Sequence, residues 1–501
     1  MNDTQSATDL LAKRFPYAPT TGQVAFFRQI GAFITPQEQA HYRDCFLLRG
    51  YAGTGKTTLI STLIGVLPRF GLKSVLLAPT GRAAKVMANY AKKPAQTIHR
   101  KIYRQVAEPG DTGGPSFKRQ KNYHENTLFI VDEASMISDE AEFGGKGLLH
   151  DLITFVFENE GNKLMLVGDT AQLPPVGHEG SPALNRGFLA RSFDMTVREQ
   201  ELTEVMRQDL ESGILYNATA LRQLLSDTIL NPAAGPEPVS FERLLTGNVP
   251  GPASGGAPAI QLTTKPFQDL YQMPLTKLED GIRYAYNKYG RENTAILCRS
   301  NKTAGQYNQF IRRMIDQRED ELDAGDRLMI ARNNYTVLGE DSPAGFLANG
   351  EFAEVMKVRR HEELHGFRFA TVTLHLMDYE EQPDFEAKVI LDTLHTVTPS
   401  LTQEQNKALY TSVAADYTYI TNKKERAEAI RRDPYLTALQ IKFAYALTTH
   451  KAQGGQWNAV FIDQGYLPDG ANQEFVRWLY TALTRATDEA FLMNFNPDFF
   501  A

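Results

Sequence analysis

A glycine-rich segment carries the most specific chemistry in the sequence. It runs Gly50-Tyr-Ala-Gly-Thr-Gly-Lys56-Thr57, after an apolar run at 45–48 and before a helical pattern over 59–67. Glycines let backbone N–H groups turn around phosphate oxygens, and the N-terminal end of the next helix adds positive potential. In this context Lys56 is expected to reach the β- and γ-phosphates of a nucleotide, and the Thr57 hydroxyl is expected to bind Mg²⁺. The alternative is a glycine-rich turn before an ordinary core helix, which arises by chance in a chain of this length about 2% of the time.

Polar residues follow two further apolar runs. The run at 127–131 ends in Asp132 and Glu133. Beside a phosphate loop, Asp132 is expected to hold Mg²⁺ directly or through water, and Glu133 to orient or deprotonate the attacking water. The alternative is a pair of acids that caps the end of a strand. The run at 163–167 is followed by Gln172 and two prolines, so that Gln172 is placed to contact the γ-phosphate from a stiff loop.

The charge is unevenly distributed along the chain. The net charge of −6 argues against a protein whose whole surface is basic. From Arg82 to Arg104, however, there are seven Lys or Arg residues and no Asp or Glu. Such a run is usually a solvated face, but beside a nucleotide site it is a reasonable place for a phosphate backbone. Tyr90, Tyr103 and Tyr123 are interleaved with basic residues, so they could stack on bases or pack in the core.

The composition sets the broad class of the protein. A length of 501 residues exceeds what one hydrophobic core usually supports, so two or more domains are expected. The apolar share of 42% and the charged share of 22% fit a soluble globular protein. The absence of a long apolar stretch and of a secretory signal leads us to expect a cytoplasmic protein that does not contact a membrane. Cys45 and Cys298 lie in apolar runs without metal-ligand spacing, so we expect buried, reduced thiols.

Short apolar runs separated by helix-length segments suggest the elements that position these residues. The runs lie at 45–48, 75–77, 127–131, 163–167, 294–298, 459–462 and 490–493. This arrangement predicts an α/β fold with two P-loop-type domains, each built on a parallel sheet that is covered on both faces. The segment 231–260 is rich in Pro, Gly and Ala and predicts a long surface loop or connection.

A block of different character interrupts the second set of runs. The segment from about 325 to 378 changes character, and within it residues 352–358 and 367–376 approach period-two alternation, which predicts a small antiparallel barrel or sheet. Residues 401–432 have a helical pattern that Pro434 ends. We therefore expect a β-rich insertion with helices inside the second α/β domain.

The motifs occur in a definite order. They are Gly50 to Thr57, Ala78-Pro-Thr-Gly-Arg-Ala-Ala84, Thr97-Ile-His99, Val131-Asp-Glu-Ala-Ser-Met136, Gly168-Asp-Thr-Ala-Gln-Leu-Pro-Pro175, Leu202-Thr-Glu-Val-Met-Arg207, Leu447-Thr-Thr-His-Lys-Ala-Gln-Gly454 and Tyr480-Thr-Ala-Leu-Thr-Arg485-Ala. This series resembles the superfamily 1 DNA helicases and is most similar to the 5′-to-3′ branch, superfamily 1B, of RecD-like, phage Dda-like and Pif-type enzymes. The resemblance covers residues 23–486, which is nearly the whole chain.

The resemblance implies an architecture. It consists of two RecA-like domains, a hairpin at 104–126 that splits a duplex, and an SH3-like accessory domain that grips DNA. The implied bounds are 1–195 for the first domain, 196–324 with 435–501 for the second, and 325–434 for the accessory domain.

The resemblance also implies an activity, that of an ATP- and Mg²⁺-dependent helicase. Such an enzyme translocates 5′ to 3′ on single-stranded DNA and unwinds DNA at junctions of single and double strands. One alternative is an ATP-switched, single-stranded-DNA-binding subunit of a repair or recombination complex without unwinding activity. Another alternative is a small-molecule or nucleoside kinase, for which the phosphate loop alone would suffice.

The resemblance further implies individual roles. Gln23 would recognise adenine, while Arg207 and Arg485 would reach the γ-phosphate from the second domain. The implied catalytic residues are Lys56, Asp132, Glu133, Gln172, Arg207 and Arg485, and the implied metal ligands are Thr57 and Asp132. The implied nucleotide contacts are Gln23, Gly53, Thr54, Gly55, Lys56, Thr57, Thr58, Gly454 and Gln456, the last of which stands where related enzymes often have Glu. The implied DNA contacts are Pro79, Thr80, Arg82, Thr97, His99, Thr449, His450, Lys451 and Gln453.

Overall fold

The computed structural model describes most of the chain. The described residues are 3–35, 43–106, 116–140, 146–205, 211–230, 260–339, 342–379, 381–467 and 470–500. Arg207, nearly all of the segment 231–260 and the turn of the predicted hairpin lie outside these ranges. No helix within the described ranges is long and apolar enough to cross a membrane.

The first α/β unit is built on a parallel sheet. Its strands are β1 (Asp44–Gly50), β2 (Lys73–Ala78), β3 (Ala95–Thr97), β4 (Tyr103–Val106), β5 (Ser116–Arg119), β6 (Thr127–Val131), β7 (Lys163–Gly168) and β8 (Thr196–Leu202). Six strands pair in the order β3-β2-β6-β7-β1-β8, and β4 and β5 form a separate antiparallel hairpin. The helices are α1 (Asp3–Arg14), α2 (Thr21–Ile34), α3 (Lys56–Val66), α4 (Gly81–Ala91), α5 (Ile98–Ile102), α6 (Leu148–Val156) and α7 (Arg186–Phe193). The apolar runs fill β1, β6 and β7, because these strands are buried on both faces.

The edge strand β8 lies beyond the expected end of the first domain at residue 195. It pairs with β1 along its whole length, from Thr196 opposite Asp44 to Leu202 opposite Gly50. The first sheet therefore extends to Leu202. The sequence did not reveal this pairing because β8 carries charged residues at 198, 199 and 201 and lacks a continuous apolar run.

The second α/β unit contains a second parallel sheet. Its strands are β9 (Leu270–Met273), β10 (Thr294–Cys298), β16 (Ala446–Thr448), β17 (Trp457–Asp463) and β18 (Ala486–Met493), in the order β16-β10-β17-β18-β9. Its helices are α8 (Gly213–Leu230), α9 (Leu278–Tyr289), α10 (Asn301–Phe310) and α14 (Gln473–Leu483). Cys45 and Cys298 lie in interior strands of the two sheets and are buried free thiols, as expected.

A closed barrel interrupts the second unit, as the alternating pattern predicts. Its strands are β11 (Arg327–Ile330), β12 (Phe352–Leu364), β13 (Phe367–Leu376), β14 (Phe385–Ile390) and β15 (Leu439–Phe443). The helices α11 (Asp392–His395), α12 (Gln403–Asp416) and α13 (Lys423–Arg431) connect the last two strands. The predicted α/β fold with two parallel sheets and a β-rich insertion is therefore confirmed.

Two details of the barrel differ from expectation. The strands β14 and β15 are parallel, whereas we expected an antiparallel barrel. Parallel neighbours need a long crossover, and the helical segment between residues 391 and 438 supplies it. The closing strand β15 also lies beyond residue 434, where we expected the accessory domain to end, because both β11 and β14 need a partner to close the barrel.

Candidate nucleotide and DNA site

The glycine-rich loop adopts a conformation that requires its glycines. Gly53 and Gly55 have φ values of +73° and +80°, in the left-handed region that side chains rarely adopt. The Lys56 Nζ lies against the loop and donates hydrogen bonds to the carbonyl oxygens of Gly50 and, at 2.8 Å, Tyr51. The loop therefore holds the Lys56 ammonium against its own backbone carbonyls, and phosphate binding by Lys56 stays a prediction.

The buried Gln23 side chain supports the same loop. Its Nε2 donates to the Thr54 carbonyl oxygen at 3.1 Å, and its Oε1 accepts from the backbone N–H of Thr20 at 3.0 Å. This second bond forms part of the capping box at the start of α2. The structure thus ties Gln23 to the phosphate loop, and adenine recognition stays a prediction.

The acidic pair lies at the carboxyl end of β6, next to the loop. Asp132 Oδ1 accepts from the Glu133 N–H at 2.8 Å, and Asp132 Oδ2 accepts from the Tyr90 hydroxyl at 2.7 Å. Burial raises the pKa of the Tyr90 phenol, and the Asp132 carboxylate adds to this, so the hydroxyl stays a donor. The sequence does not indicate that Tyr90 reaches the acidic pair, because its position along α4 does not show which strand end it meets.

Thr57 and Asp132 fit the chemistry of a Mg²⁺ site. Mg²⁺ binds hydroxyl, carboxylate and phosphate oxygens and usually takes only one or two carboxylates from a protein. Thr57 is exposed at the start of α3, and each Asp132 oxygen accepts one hydrogen bond and keeps a lone pair. Thr58 is half-buried, and its carbonyl accepts from the Thr62 hydroxyl at 2.8 Å, as part of helix α3.

Arg485 reaches across the cleft between the two α/β units. It is only 3% exposed, and its Nη1 lies 3.8 Å from Glu133 Oε1 of the first unit. Its Nε donates to the Thr481 carbonyl at 3.1 Å and its Nη1 to the Gly455 carbonyl at 3.3 Å, which fix the guanidinium in place. Burial raises the pKa of Glu133, and the guanidinium of Arg485 opposes this increase. The second predicted arginine, Arg207, lies outside the described residues.

A tyrosine missed by sequence analysis joins the same two units. The buried Tyr480 hydroxyl accepts from the Ala52 N–H of the phosphate loop at 3.0 Å and donates to Asp169 Oδ2 at 2.5 Å. Asp169 Oδ1 accepts from the Ala171 N–H at 2.9 Å. Burial raises the pKa of Asp169, while Lys56 and the Tyr480 bond act to lower it. Both residues stand in quoted motifs, but only the packing of α14 on the loop reveals their contact.

The loop after β7 is also held from the second unit. The Leu173 N–H donates to the Thr481 hydroxyl at 2.9 Å, and the Leu173 carbonyl accepts from Gln453 Nε2 at 2.8 Å. Gln172 is buried, and its Oε1 has no hydrogen-bond partner among the described residues. Gln453, a predicted DNA contact, therefore bonds to the loop that carries Gln172, the predicted γ-phosphate contact.

Predicted DNA contacts at the start of α4 lie against the second unit. The Thr80 hydroxyl caps α4, and Gly454 approaches it so closely that a Cβ at Gly454 would lie 3.1 Å from the Thr80 Oγ1. The guanidinium carbon of Arg82 lies 4.2 Å from the centroid of the Trp457 ring, and its Nη2 donates to the Gln456 carbonyl at 3.1 Å. Burial lowers the pKa of Arg82. Gln456 is exposed, and its backbone carbonyl accepts the hydrogen bond from Arg82.

The next predicted DNA contacts follow β2 and begin α5. Pro79 is half-buried directly after β2. The Thr97 hydroxyl is buried and caps α5. The His99 ring lies 5.7 Å from the Tyr103 ring and 6.4 Å from the Phe346 ring, which belongs to the barrel insertion. His99 thus lies where the first unit meets the insertion.

The predicted DNA contacts of the second unit follow β16. The Thr449 hydroxyl is fully buried and lacks a hydrogen-bond partner within the part of the chain that the structure describes. His450 is half-buried, and burial lowers its pKa. Burial also lowers the pKa of Lys451 to about 8. Burial, together with the nearby charge of Lys451, also lowers the pKa of Lys442 in the barrel to about 8. DNA binding by these residues stays a prediction.

Two family models match separate parts of the chain. A model described as AAA domain matches residues 37–227, which include the phosphate loop, the acidic pair and Gln172. A model described as UvrD-like helicase C-terminal domain matches residues 443–493, which include Thr449 to Gln453 and Arg485.

Three curated relatives share sequence with the chain. The ATP-dependent RecD2 DNA helicase of Deinococcus radiodurans is 32% identical over 177 residues, which are 35% of this chain and 21% of that protein. The ATP-dependent DNA helicase dda of Enterobacteria phage T4 is 29% identical over 184 residues, which are 35% of this chain and 37% of that protein. The uncharacterized protein R530 of Acanthamoeba polyphaga mimivirus is 24% identical, with 88% of this chain and 94% of that protein aligned. The ordered motifs and these matches support the assignment of the chain to superfamily 1B of the helicases.

Proposed function

We propose that the protein is an ATP-dependent DNA helicase that translocates 5′ to 3′ on single-stranded DNA and unwinds duplexes at junctions. The observation that carries this proposal is the position of Arg485, 3.8 Å from Glu133 on the opposite wall of the cleft. A guanidinium supplied across a cleft stabilises transition-state charge only when the cleft is closed, so hydrolysis is tied to the relative position of the two units. A kinase would need no such partner from a second sheet.

Each residue of the cleft has a step in the proposed reaction. Lys56 leaves the carbonyls of the loop and binds the terminal phosphates of ATP. Thr57 and Asp132 would hold Mg²⁺, which would supply positive charge beside these phosphates. Glu133 accepts the proton of the attacking water, a role that suits a carboxylate whose pKa is raised by burial. Arg485 then stabilises the charge that develops on the γ-phosphate.

Contacts between the units convert hydrolysis into movement. Tyr480 and Thr481 of α14 bond to the phosphate loop and to the loop after β7, respectively. The predicted DNA contacts adjoin the same interface, with Thr80 and Arg82 on one side and Gly454 on the other. When the cleft opens, these two sets of contacts separate and can move stepwise along a DNA strand. Hydroxyl, backbone and cationic contacts to phosphates carry no base information, so we expect binding that tolerates any sequence.

The relatives support the same activity. RecD2 and dda are named as ATP-dependent DNA helicases, and their aligned segments each cover about a third of this chain. This chain spans only 21% of RecD2 and 37% of dda, so their whole-protein activities come to it as a proposal.

A strand-displacement assay tests the proposal. A duplex with a 5′ single-stranded tail should be opened in the presence of ATP and Mg²⁺, and Lys56→Ala should abolish the opening. Lys277→Ala is the matched control, because Lys277 is an exposed lysine whose ion pair is with Asp280, away from the cleft. Equal or better opening of a 3′-tailed duplex would refute the polarity. Strand-stimulated hydrolysis without displacement on any tailed duplex would support instead an ATP-switched DNA-binding subunit.

A further inference from the structure

Helix α4 contacts both neighbouring parts of the molecule through its N-terminal half. Arg82 stacks on Trp457 of the second unit. Lys85 Nζ donates to the Met377 carbonyl of the barrel insertion at 2.7 Å, and a Cβ at Gly81 would lie 2.9 Å from the hydroxyl of Tyr379. The position of this end of α4 therefore depends on where the second unit and the barrel lie.

The other end of α4 reaches the acidic pair. Tyr90 lies nine residues after Gly81, which corresponds to about 13 Å along a helix. Its hydroxyl donates to Asp132 Oδ2 at 2.7 Å. The buried Met87 and Ala91 pack this part of the helix into the core of the first unit. Because a packed helix moves as a body, a displacement at its N-terminal half is transmitted to the Tyr90 hydroxyl.

Among the described residues, the Tyr90 bond is the only hydrogen bond that connects the Asp132 carboxylate to an element outside its own loop. The other carboxylate oxygen accepts from Glu133, which is the next residue in the chain. We propose that Tyr90 is a positioning residue that orients Asp132 for Mg²⁺ and couples this orientation to the contacts that α4 makes with DNA, the second unit and the barrel. This inference rests on the proposed function, in which a DNA strand lies against Thr80 and Arg82.

The test measures metal binding directly. Mn²⁺ binding in the presence of ADP is followed by electron paramagnetic resonance, with and without an oligothymidylate. Tyr90→Phe removes only the hydroxyl, and we expect Mn²⁺ affinity to fall roughly 10-fold, as for other partners that orient a metal ligand. We also expect the oligothymidylate to change Mn²⁺ affinity in the unmodified protein but not in Tyr90→Phe. Tyr417→Phe is the matched control, because Tyr417 donates to Asp433 at 2.9 Å in the helical part of the insertion.

A second variant tests the transmission through the helix. Gly81→Ala places a methyl group against Tyr379 without touching the Tyr90–Asp132 bond. If α4 transmits the displacement, Gly81→Ala changes Mn²⁺ affinity about threefold or more, and this change disappears in the double variant with Tyr90→Phe. Equal effects of Gly81→Ala in both backgrounds, or no effect of Tyr90→Phe, would overturn the inference. If the oligothymidylate fails to stimulate ATP turnover in the unmodified protein, the proposed function fails, while the Mn²⁺ measurements still decide the role of Tyr90.

Discussion

Replacing Tyr480 with Phe should weaken the contact between the two α/β units. The Tyr480 ring is fully buried, so Phe keeps its packing and removes only the oxygen. That oxygen accepts from the Ala52 N–H at 3.0 Å and donates to Asp169 Oδ2 at 2.5 Å, and both partners belong to the first unit. The variant therefore removes two hydrogen bonds across the interface and none within the second unit.

The expected loss can be estimated bond by bond. A hydrogen bond to a charged group contributes about 1.5–3 kcal/mol, and an unpaired buried N–H costs about 1–3 kcal/mol. Because Ala52 is half-buried, water can satisfy part of its lost bond. We therefore expect Tyr480→Phe to reduce the free energy of separating the units by about 3 kcal/mol. With a urea dependence of about 2 kcal/mol per molar, the midpoint of separation should fall by about 1.5 M.

The chain contains an intrinsic probe of this separation. It has two tryptophans, Trp457 and Trp478, and the guanidinium of Arg82 from the first unit stacks on Trp457. In a Trp478→Phe background, the emission of Trp457 should shift to longer wavelength when the units separate and the indole becomes hydrated. Titration with urea then gives the separation midpoint, and circular dichroism gives the unfolding of the separate units.

The effect of Tyr480→Phe should also depend on pH. Burial raises the pKa of Asp169 above its ordinary value, and the Tyr480 bond acts to lower it. An acid with a raised pKa in the folded state stabilises that state below its ordinary pKa and loses this stabilisation as pH rises toward the folded pKa. Without the hydroxyl the folded pKa is higher still, so the loss is greater. The difference between the variant and the unmodified protein should be larger near pH 8 than near pH 4.5.

A matched control separates this effect from general destabilisation. Tyr103 donates to Asp151 Oδ2 at 2.7 Å, and both residues belong to the first unit. Tyr103→Phe should leave the Trp457 midpoint unchanged. An equal shift in the two variants, or no shift in Tyr480→Phe, would refute the reasoning.

Two further predictions concern buried groups. Burial raises the pKa of Glu351 in the barrel insertion to about 8, so its neutral form stabilises the fold. This stabilisation is lost as the pH rises from the ordinary pKa of a glutamate toward 8. In Glu351→Gln, the protection of the surrounding backbone amides against hydrogen exchange, relative to their intrinsic rates, should therefore depend less on pH between about 5 and 8. Cys45 and Cys298 are buried and burial raises their pKa values, so Ellman's reagent should react with each roughly 10³-fold more slowly than with a free thiol. Cys298→Ser should leave a single thiol, Cys45, that reports unfolding of the first sheet. Rapid reaction under native conditions would contradict this prediction.

Local patterns predicted the central elements of the fold. The apolar runs at 45–48, 127–131 and 163–167 became buried parallel strands, because a strand covered on both faces needs apolar residues throughout. Pairing between distant segments was harder to predict. The charged strand β8 has no apolar run, and its place at the edge of the sheet depends on its pairing with the distant strand β1. The parallel direction of β14 and β15 could not be predicted because period-two alternation does not indicate strand direction.

The candidate site likewise combines residues whose roles follow from local sequence with residues whose contacts the sequence did not predict. The glycine-rich loop follows from local spacing. Arg485 lies 3.8 Å from Glu133, and its contact with the γ-phosphate stays a prediction. Tyr90 and Tyr480 could not be predicted, because their hydroxyl partners belong to elements distant in sequence. The sequence also did not indicate that Thr80 caps a helix or that Arg82 stacks on Trp457.

Two helices bridge the units in opposite directions, and this arrangement would couple the proposed hydrolysis of ATP to the proposed DNA contacts. From the second unit, α14 bonds through Tyr480 to the phosphate loop and through Thr481 to the loop after β7, with Arg485 two residues beyond its end. From the first unit, α4 contacts the second unit and the barrel and bonds to Asp132. Because a packed helix moves as a rigid body, a displacement at one of its contacts also displaces the others. Under the proposed function, a change at the γ-phosphate is therefore expected to reach the predicted DNA contacts through α14, and DNA binding is expected to reach the acidic pair through α4.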